Sequence, residues 1–320
     1  MKILVTGCAG FIGANFVEYW LDSHPDDTVI GVDSLTYAAN IPVLNEVKKR
    51  DNFVFYKNNI CHVSAMNDVF KSETPDVVVN FAAESHVDRS IEASRIFVET
   101  NVLGVQTLLD MCLKYSVGRF HQISTDEVYG DLPLESNERF TENTLLNPSS
   151  PYSASKAAAD MLVLSYYKTH GLPVSISRCS NNYGKYQHTE KLIPKVVSYA
   201  LENELFPIYG SGENVREWIN VLDHCRAVDL ILKNAKPGGV YNVGGDVVIS
   251  NIKLVKMIYG YLNKPDNMIT FAQDRKGHDR KYALDCNKLR SELGWSPTVC
   301  FSKGLEETIS WYKKIGNFKI

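Results

Sequence analysis

Residues 2–13 read K-I-L-V-T-G-C-A-G-F-I-G. A short apolar run, Lys2–Thr6, stops at a glycine, and glycines recur at positions 10 and 13. Apolar residues then return at helical spacing over Phe11–Leu21. Strand, glycine turn and helix in that order form a cradle for a dinucleotide. Gly7 permits the tight turn, Gly10 lets the backbone approach a pyrophosphate, and Gly13 lets the helix pack closely on the strand. The spacing is G-x-x-G-x-x-G, a variant of the common G-x-G-x-x-G pattern. The next β-branched run, Thr28–Asp33, ends in an acid. Asp33 is placed to bond the ribose hydroxyls of NAD and to repel the 2′-phosphate of NADP. Without a cofactor, the same residues would be only a tight turn in a Rossmann-like sheet.

Working outward, strand signals recur at Asp76–Phe81 (D-V-V-V-N-F), Phe120–Ser124 and Val174–Arg178. Between them, Ile96–Tyr115 carries Ile96, Phe97, Val102, Val105, Leu108, Leu109 and Cys112 at helical spacing. Continuous apolar strands alternating with helices predict a parallel sheet covered on both faces. A long helix is predicted from Pro151, with Ser150 as N-cap and proline in the first turn, to about His170, where Gly171 and Pro173 stop it. After about Asn182 the segments shorten, with glycines at 210, 212, 238, 239, 244 and 245. The fold class is therefore α/β: a Rossmann-like doubly wound parallel sheet with a smaller mixed C-terminal substrate lobe. The expected division is 1–182 for NAD and 183–320 for substrate, with a soft boundary across which the lobes are free to interleave.

The 320-residue chain is 44% hydrophobic and 22% charged, with a net charge of -3. That balance gives no electrostatic reason to expect a nucleic-acid or membrane partner. Seven cysteines at 8, 61, 112, 179, 225, 286 and 300 are scattered, with no C-x-x-C. They read as reduced and mostly buried, with neither a disulfide framework nor a metal site expected. No secretory signal is evident, and no apolar segment is expected to reach the ~20 residues of a membrane span. The expected location is cytoplasmic.

Two constellations carry chemistry. Tyr152 and Lys156 are one turn apart on one face of the predicted helix. A phenol with a pKa of about 10 is a poor base at neutral pH. A nearby ammonium and a nicotinamide cation would favour its phenolate, making Tyr152 an acid/base for alcohol–ketone interconversion. The second is I-S-T-D-E-V-Y-G, residues 123–130. Asp126 and Glu127 are either a solvated turn after a strand or an acid and a base serving one reaction. In a dry pocket, adjacent carboxylates oppose each other's ionisation, which gives one protonated and one ionised group.

With these residues in view, G-x-x-G-F-I-G, A-A-E-S at 82–85 and Y-S-A-S-K resemble the extended short-chain dehydrogenase/reductase family. More narrowly, S-T-D-E-V-Y-G-D, P-Y-S-A-S-K-A, C-S-N-N-Y-G, E-K-L-I-P, P-I-Y-G and D-R-K-G-H-D-R resemble its dTDP-glucose 4,6-dehydratase branch, from residue 2 to about 312. The resemblance implies that Thr125 bonds the C4 hydroxyl, Asp126 is the acid, Glu127 the base and Tyr152 the group that removes the C4 hydroxyl proton. C4 oxidation by NAD would acidify C5, water would leave across C5 and C6, and the hydride would return to C6. It also implies that Phe11, Ile12, Thr36, Asn59, Ile60, Ala82, Ala83, Thr100, Lys156 and Asn182 contact the cofactor. Ser85, Thr125 and Asn181 would contact sugar or phosphate. Lys191, Leu192, Tyr209, Arg216, Asn251, Arg275 and His278 would contact the nucleotide, dTDP-glucose being the favoured substrate. Guanidinium groups at Arg216 and Arg275 suit a diphosphate. A homodimer joined by helices at about 95–115 and 151–170 is implied as well.

Some positions depart from that pattern. Asn59 stands where an aspartate usually reaches the adenine, Ala39 where glycine is expected, and Lys276 where proline is. Y-G-K-Y-Q-H-T-E-K at 183–191 differs from the usual loop. The loop and Lys276 leave thymine, uracil and cytosine open as the base. The alternatives are a UDP- or CDP-glucose 4,6-dehydratase, a 4-epimerase of the same fold, and an NAD-binding sensor without catalysis. A sensor would need none of Thr125, Asp126, Glu127, Tyr152 and Lys156.

Overall fold

A computed structural model describes residues 1–316. Its strands are β1 (Lys2–Thr6), β2 (Thr28–Asp33), β3 (Phe53–Lys57), β4 (Val77–Asn80), β5 (Arg119–Thr125), β6 (Val174–Cys179), β7 (Asn181–Tyr183), β8 (Phe206–Tyr209), β9 (Val215–Asn220), β10 (Gly239–Val243), β11 (Val247–Ser250) and β12 (Ile269–Ala272). Seven form one parallel sheet in the order β10-β6-β5-β4-β1-β2-β3. Both faces are covered, which is why the strands read as continuous apolar runs. On β1, Leu4 packs on one face with helices Val63–Glu73, Gly104–Lys114 and Pro151–His170. Ile3 and Val5 pack on the other with helices Phe11–Ser23 and Val221–Asn234, as the two-residue period of a strand requires.

The order reverses between β1 and β4. Connections leave their carboxyl ends in opposite directions, and that divergence opens the crevice where α/β sheets bind ligands. Beyond Asn182 the chain builds a three-stranded mixed sheet, β11-β9-β7, and a parallel pair, β12-β8. Between these it returns through helix Val221–Asn234 to place β10 at the edge of the large sheet, so the two lobes interleave.

Helix Pro151–His170 forms with a reciprocal cap. Ser153 N donates to Ser150 Oγ at 3.1 Å, and Ser150 N donates to Ser153 Oγ at 3.0 Å. Gly171 ends it in the left-handed region at φ 70. The helix predicted over Ile96–Tyr115 differs in detail. It runs as Ser94–Val98, a π-turn over Glu99–Leu103, and Gly104–Lys114. The π-turn carries Asn101, buried, whose amide donates to Ser155 Oγ at 2.8 Å and to Glu84 O at 3.0 Å.

This helix also corrects the expectation about membrane-length segments. Ser94–Lys114 spans 21 residues with a mean hydropathy of 1.3, enough by length and composition to cross a membrane. Half of it is buried, with Phe97, Val105, Leu108 and Leu109 fully enclosed, so here it is a core helix. All seven cysteines are free thiols: five buried, Cys61 partly exposed and Cys300 exposed.

Candidate active site

The site is built from loops at the carboxyl edge of the large sheet. After β1, Gly7 adopts φ 66, and a Cβ there would lie 2.6 Å from Ala82 N. A Cβ on Gly13 would lie 2.2 Å from Gly7 O, so only glycine lets the first helix sit against this turn. Asp33, at the end of β2, braces the loop by accepting from Ala9 N at 2.9 Å and Leu35 N at 2.8 Å. After β4, residues 82–86 are pinned by Asn101, whose Oδ1 accepts from Glu84 N at 2.9 Å.

β5 ends in the paired acids. Thr125 caps the 3₁₀ turn Asp126–Tyr129, its hydroxyl accepting from Glu127 N at 3.3 Å and donating to Asp126 Oδ1 at 3.3 Å. The turn drives Asp126 inward, where it is 2% exposed, and its Oδ2 is buried with no partner among the described residues. Glu127 remains partly exposed. Helix Pro151–His170 crosses beneath and brings in Tyr152 and Lys156, both buried. The Thr125 hydroxyl lies beside the Tyr152 phenol and favours its ionised form.

Two cavities meet here. One, of about 260 Å³, is lined by Gly7, Gly10, Phe11, Ile12, Gly13, Ala83, Ser85, Thr125, Asp126, Glu127, Tyr152, Lys156, Asn181, Asn182 and Lys191. The other, of about 320 Å³, lies toward the C-terminal lobe and is lined by Glu127, Asn181, Lys191, Leu192, Tyr209, Arg216, Asn251, Arg275 and His278. Glu127, Asn181, Glu190 and Lys191 belong to both. Glycines with no room for a side chain, at the mouth of the first cavity, fit a dinucleotide pyrophosphate.

Six expected cofactor residues do not line either cavity: Asp33, Thr36, Asn59, Ile60, Ala82 and Thr100. Asn59 accepts from Cys61 N at 2.9 Å, and Ile60 fills the space beside Gly104. Thr100 lies in the π-turn. Among the nucleotide residues, Arg275 pairs with Asp88 at 2.5 Å. Arg216 donates to Asp279 O and Val215 O at 2.8 Å, and its guanidinium stacks 4.3 Å from the Tyr282 ring. His278 shares a 2.6 Å bond with Asp274. The sequence reading missed His86, Asp88, Cys179, Gln187, His188, Glu190, Asp279 and Tyr282, all of which line a cavity. Glu190 was within reach, inside the E-K-L-I-P stretch beside Lys191. Cys179 and Asp279 lie inside C-S-N-N-Y-G and D-R-K-G-H-D-R, and Gln187 and His188 inside the loop at 183–191, whereas His86, Asp88 and Tyr282 carry no local signal.

Charge separates the two acids. Burial raises Asp126 well above the usual carboxylate range, and the charges of Glu127 and Glu217 push it further. Burial also raises Glu127, but Lys191 and Arg216 oppose that rise. Asp126 is thus the member held protonated, and Glu127 the one eased toward ionisation. Burial dominates around Tyr152 and Lys156. Lys156 Nζ donates to Ile123 O at 2.6 Å, while burial, then the Glu127 charge, drives Tyr152 well above its ordinary value. Burial lowers Lys156, with Asp160 opposing. Burial therefore favours the neutral phenol, and a positive charge brought beside it would favour the phenolate.

A family model described as GDP-mannose 4,6 dehydratase matches residues 4–308. The chain is 46% identical to the dTDP-glucose 4,6-dehydratase of Haemophilus influenzae, over 98% of each. Among solved structures it superposes on DesIV, the dTDP-glucose 4,6-dehydratase of Streptomyces venezuelae with NAD bound, with a TM-score of 0.95 and 44% identity over 98% of this chain and 97% of that one. A UDP-glucose 4-epimerase of Thermotoga maritima gives 0.91 at 29% identity, over 99% and 100%.

Proposed function

The chain belongs to the extended short-chain dehydrogenase/reductase family and, within it, to the dTDP-glucose 4,6-dehydratases, and from that premise we propose which of its residues do the work. It is an NAD-dependent hydro-lyase that converts dTDP-glucose to dTDP-4-keto-6-deoxyglucose. One observation carries the assignment of roles: Glu127 lines both cavities, so a sugar spanning their junction meets the acid pair and the Tyr152 face together. The superposition on an epimerase supports the fold alone, since the same fold serves both reactions.

In the proposed mechanism the C-terminal cavity holds the nucleotide. Arg216 and Arg275 take the diphosphate, and Tyr209, Leu192, Asn251 and His278 surround it. Lys191, Ser85 and Asn181 flank the sugar. The glycine loop, Asp33, Ala83, Lys156 and Asn182 hold NAD, with Thr36, Asn59, Ile60, Ala82 and Thr100 bracing that half of the crevice. Bound NAD supplies the hydride acceptor at C4 and the hydride donor at C6. Tyr152 removes the C4 hydroxyl proton while Thr125 orients that hydroxyl. Glu127 takes the C5 proton, acidified by the 4-ketone, and Asp126 protonates the departing C6 hydroxyl.

Mass spectrometry of products from a mixture of dTDP-, UDP-, CDP- and GDP-hexoses tests the reading. Loss of one water from dTDP-glucose is the expected result. Loss from UDP- or CDP-glucose instead would keep the chemistry and move base choice to the loop at 183–191. An isomer without water loss would make the enzyme an epimerase.

We also infer a homodimer. Helices Ser94–Lys114 and Pro151–His170 pack side by side, and they expose Ile96, Val98, Leu103, Met161 and Tyr167. Free thiols suit a reducing compartment, which supports a cytoplasmic location.

A further inference from the structure

The dehydration does not return its own protons to their starting places, and this inference rests on the mechanism proposed above. Electrons close on themselves, because the hydride taken from C4 is given back at C6. Protons do not. Tyr152 gains the proton of the C4 hydroxyl, and the C4–O bond becomes a carbonyl. Glu127 takes the C5 proton as the C6–O bond breaks, and C5 is later reprotonated, so Glu127 ends as it began. Asp126 gives its proton to the departing C6 hydroxyl, which leaves as water. After one turnover Tyr152 holds one proton too many and Asp126 one too few. The second turnover cannot start until a proton moves from one to the other.

We propose that the Thr125 hydroxyl is the conduit that carries this proton from the Tyr152 phenol to the Asp126 carboxylate. It is the group placed to do so. Thr125 Oγ1 donates to Asp126 Oδ1 at 3.3 Å, and the same hydroxyl lies beside the Tyr152 phenol on the wall of one cavity. Its remaining acceptor capacity takes Glu127 N at 3.3 Å, which fixes the oxygen while leaving its proton free to turn between the two neighbours. Donor–acceptor separations of this length are usual before a catalytic site closes on its substrate.

Other routes are poorly placed. Asp126 is 2% exposed, its second oxygen has no partner among the described residues, and it meets water through the cavity that a bound sugar would fill. Lys156 holds its ammonium on Ile123 O at 2.6 Å. Cys179 borders the cavity, but its thiol donates to Ser124 O and is pushed up to about 12 by burial, so it is a poor relay at neutral pH. A competing donor to Asp126 is its neighbour Glu127, which faces both cavities.

The relay acts between turnovers, which separates it from a role in orienting the C4 hydroxyl. Rapid-quench product counting with the NAD-loaded enzyme and dTDP-glucose reads the difference. Thr125→Val removes the hydroxyl at nearly constant shape. Its first product per site should form faster than later ones, with a burst of about one equivalent and a steady rate at least tenfold lower, typical of losing one proton-transfer group. A solvent deuterium effect should appear on the steady rate and not on the burst. Thr125→Ser keeps the hydroxyl and should abolish the burst, which also guards against reading a folding defect as a lost relay. A Thr125→Val enzyme slowed equally in first and later turnovers would overturn the relay and leave only orientation of the substrate. A variant with the wild-type steady rate would overturn it in favour of Glu127. Failure of the unaltered enzyme to release water would instead overturn the dehydratase reading itself.

Discussion

Asp126 and Glu127 are adjacent in the chain, yet their surroundings ask different things of them. The 3₁₀ turn buries Asp126 and leaves Glu127 partly exposed, where the charges of Lys191 and Arg216 favour its ionisation. Glu127→Gln should still bind NAD and dTDP-glucose but lose water elimination by about 10²–10⁴-fold, the usual worth of a positioned base. Binding by calorimetry and product mass check both halves, and unimpaired turnover would remove Glu127 from the role of base. The burial of Asp126 also has a stability consequence. Its folded pKa lies above the unfolded one, so the native chain holds that proton longer, and stability falls as pH rises from the unfolded value through the folded one. Asp126→Asn should therefore raise the melting temperature at pH 8 and leave it nearly unchanged at pH 4, while abolishing activity. Equal melting curves at pH 8 would mean the carboxyl is not held protonated. Gly13→Ala tests the cradle in the same way. Its Cβ would meet backbone at 2.2 Å, and backbone cannot swing aside, so NAD affinity should fall at least tenfold in a titration.

At the scale of elements, the sequence was most readable where the signal is local. Ser150, Pro151 and Gly171 announce the ends of helix Pro151–His170, and the structure starts and stops it there. The π-turn at Glu99–Leu103 was not readable, because apolar spacing runs through it unbroken and its cause is distant. Asn101 is turned toward Glu84 and Ser155, 17 and 54 residues away in the chain. The support beneath the acid pair was equally hidden. Arg178 on β6 pairs with Asp160 on helix Pro151–His170 at 2.9 Å and donates to the Tyr129 hydroxyl at 2.9 Å, and Tyr129 closes the turn that begins at Asp126. Arginine and acid are both buried, so removing one strands the other. Arg178→Ala should cost about 3–5 kcal/mol in denaturant unfolding, whereas replacing both partners by Met and Leu should cost much less. Equal losses in the two variants would show that packing, not the ion pair, is what Arg178 supplies.

Across the whole molecule, the first cavity could be foreseen from spacing, and the second only through the family resemblance that named Lys191, Leu192, Tyr209, Arg216, Asn251, Arg275 and His278. The glycine loop, Asp33 and the alternating elements imply a crevice at the β1–β4 reversal, since parallel sheets place ligands there. The C-terminal lobe depends on pairings such as β8 with β12 and β7 with β9, and on the return of β10 to the large sheet, none of which leaves a local trace. That is why Tyr282, His86 and Asp88 surfaced only in the fold. The same scale decides what covers helices Ser94–Lys114 and Pro151–His170. Both also form walls of the site: one pins residues 82–86 through Asn101, the other carries Tyr152 and Lys156. Their outer faces expose Leu103 at 50% and Met161 at 61%, large apolar groups that a second copy of the chain would cover. Charges at these positions oppose such burial without touching the cavities. Leu103→Glu with Met161→Glu should halve the mass seen by sedimentation equilibrium at micromolar concentration, and should lower kcat more than KM, because the helices that lose their partner hold catalytic groups rather than nucleotide contacts. An unaltered chain that already sediments as a single copy would refute the dimer and leave those faces to solvent.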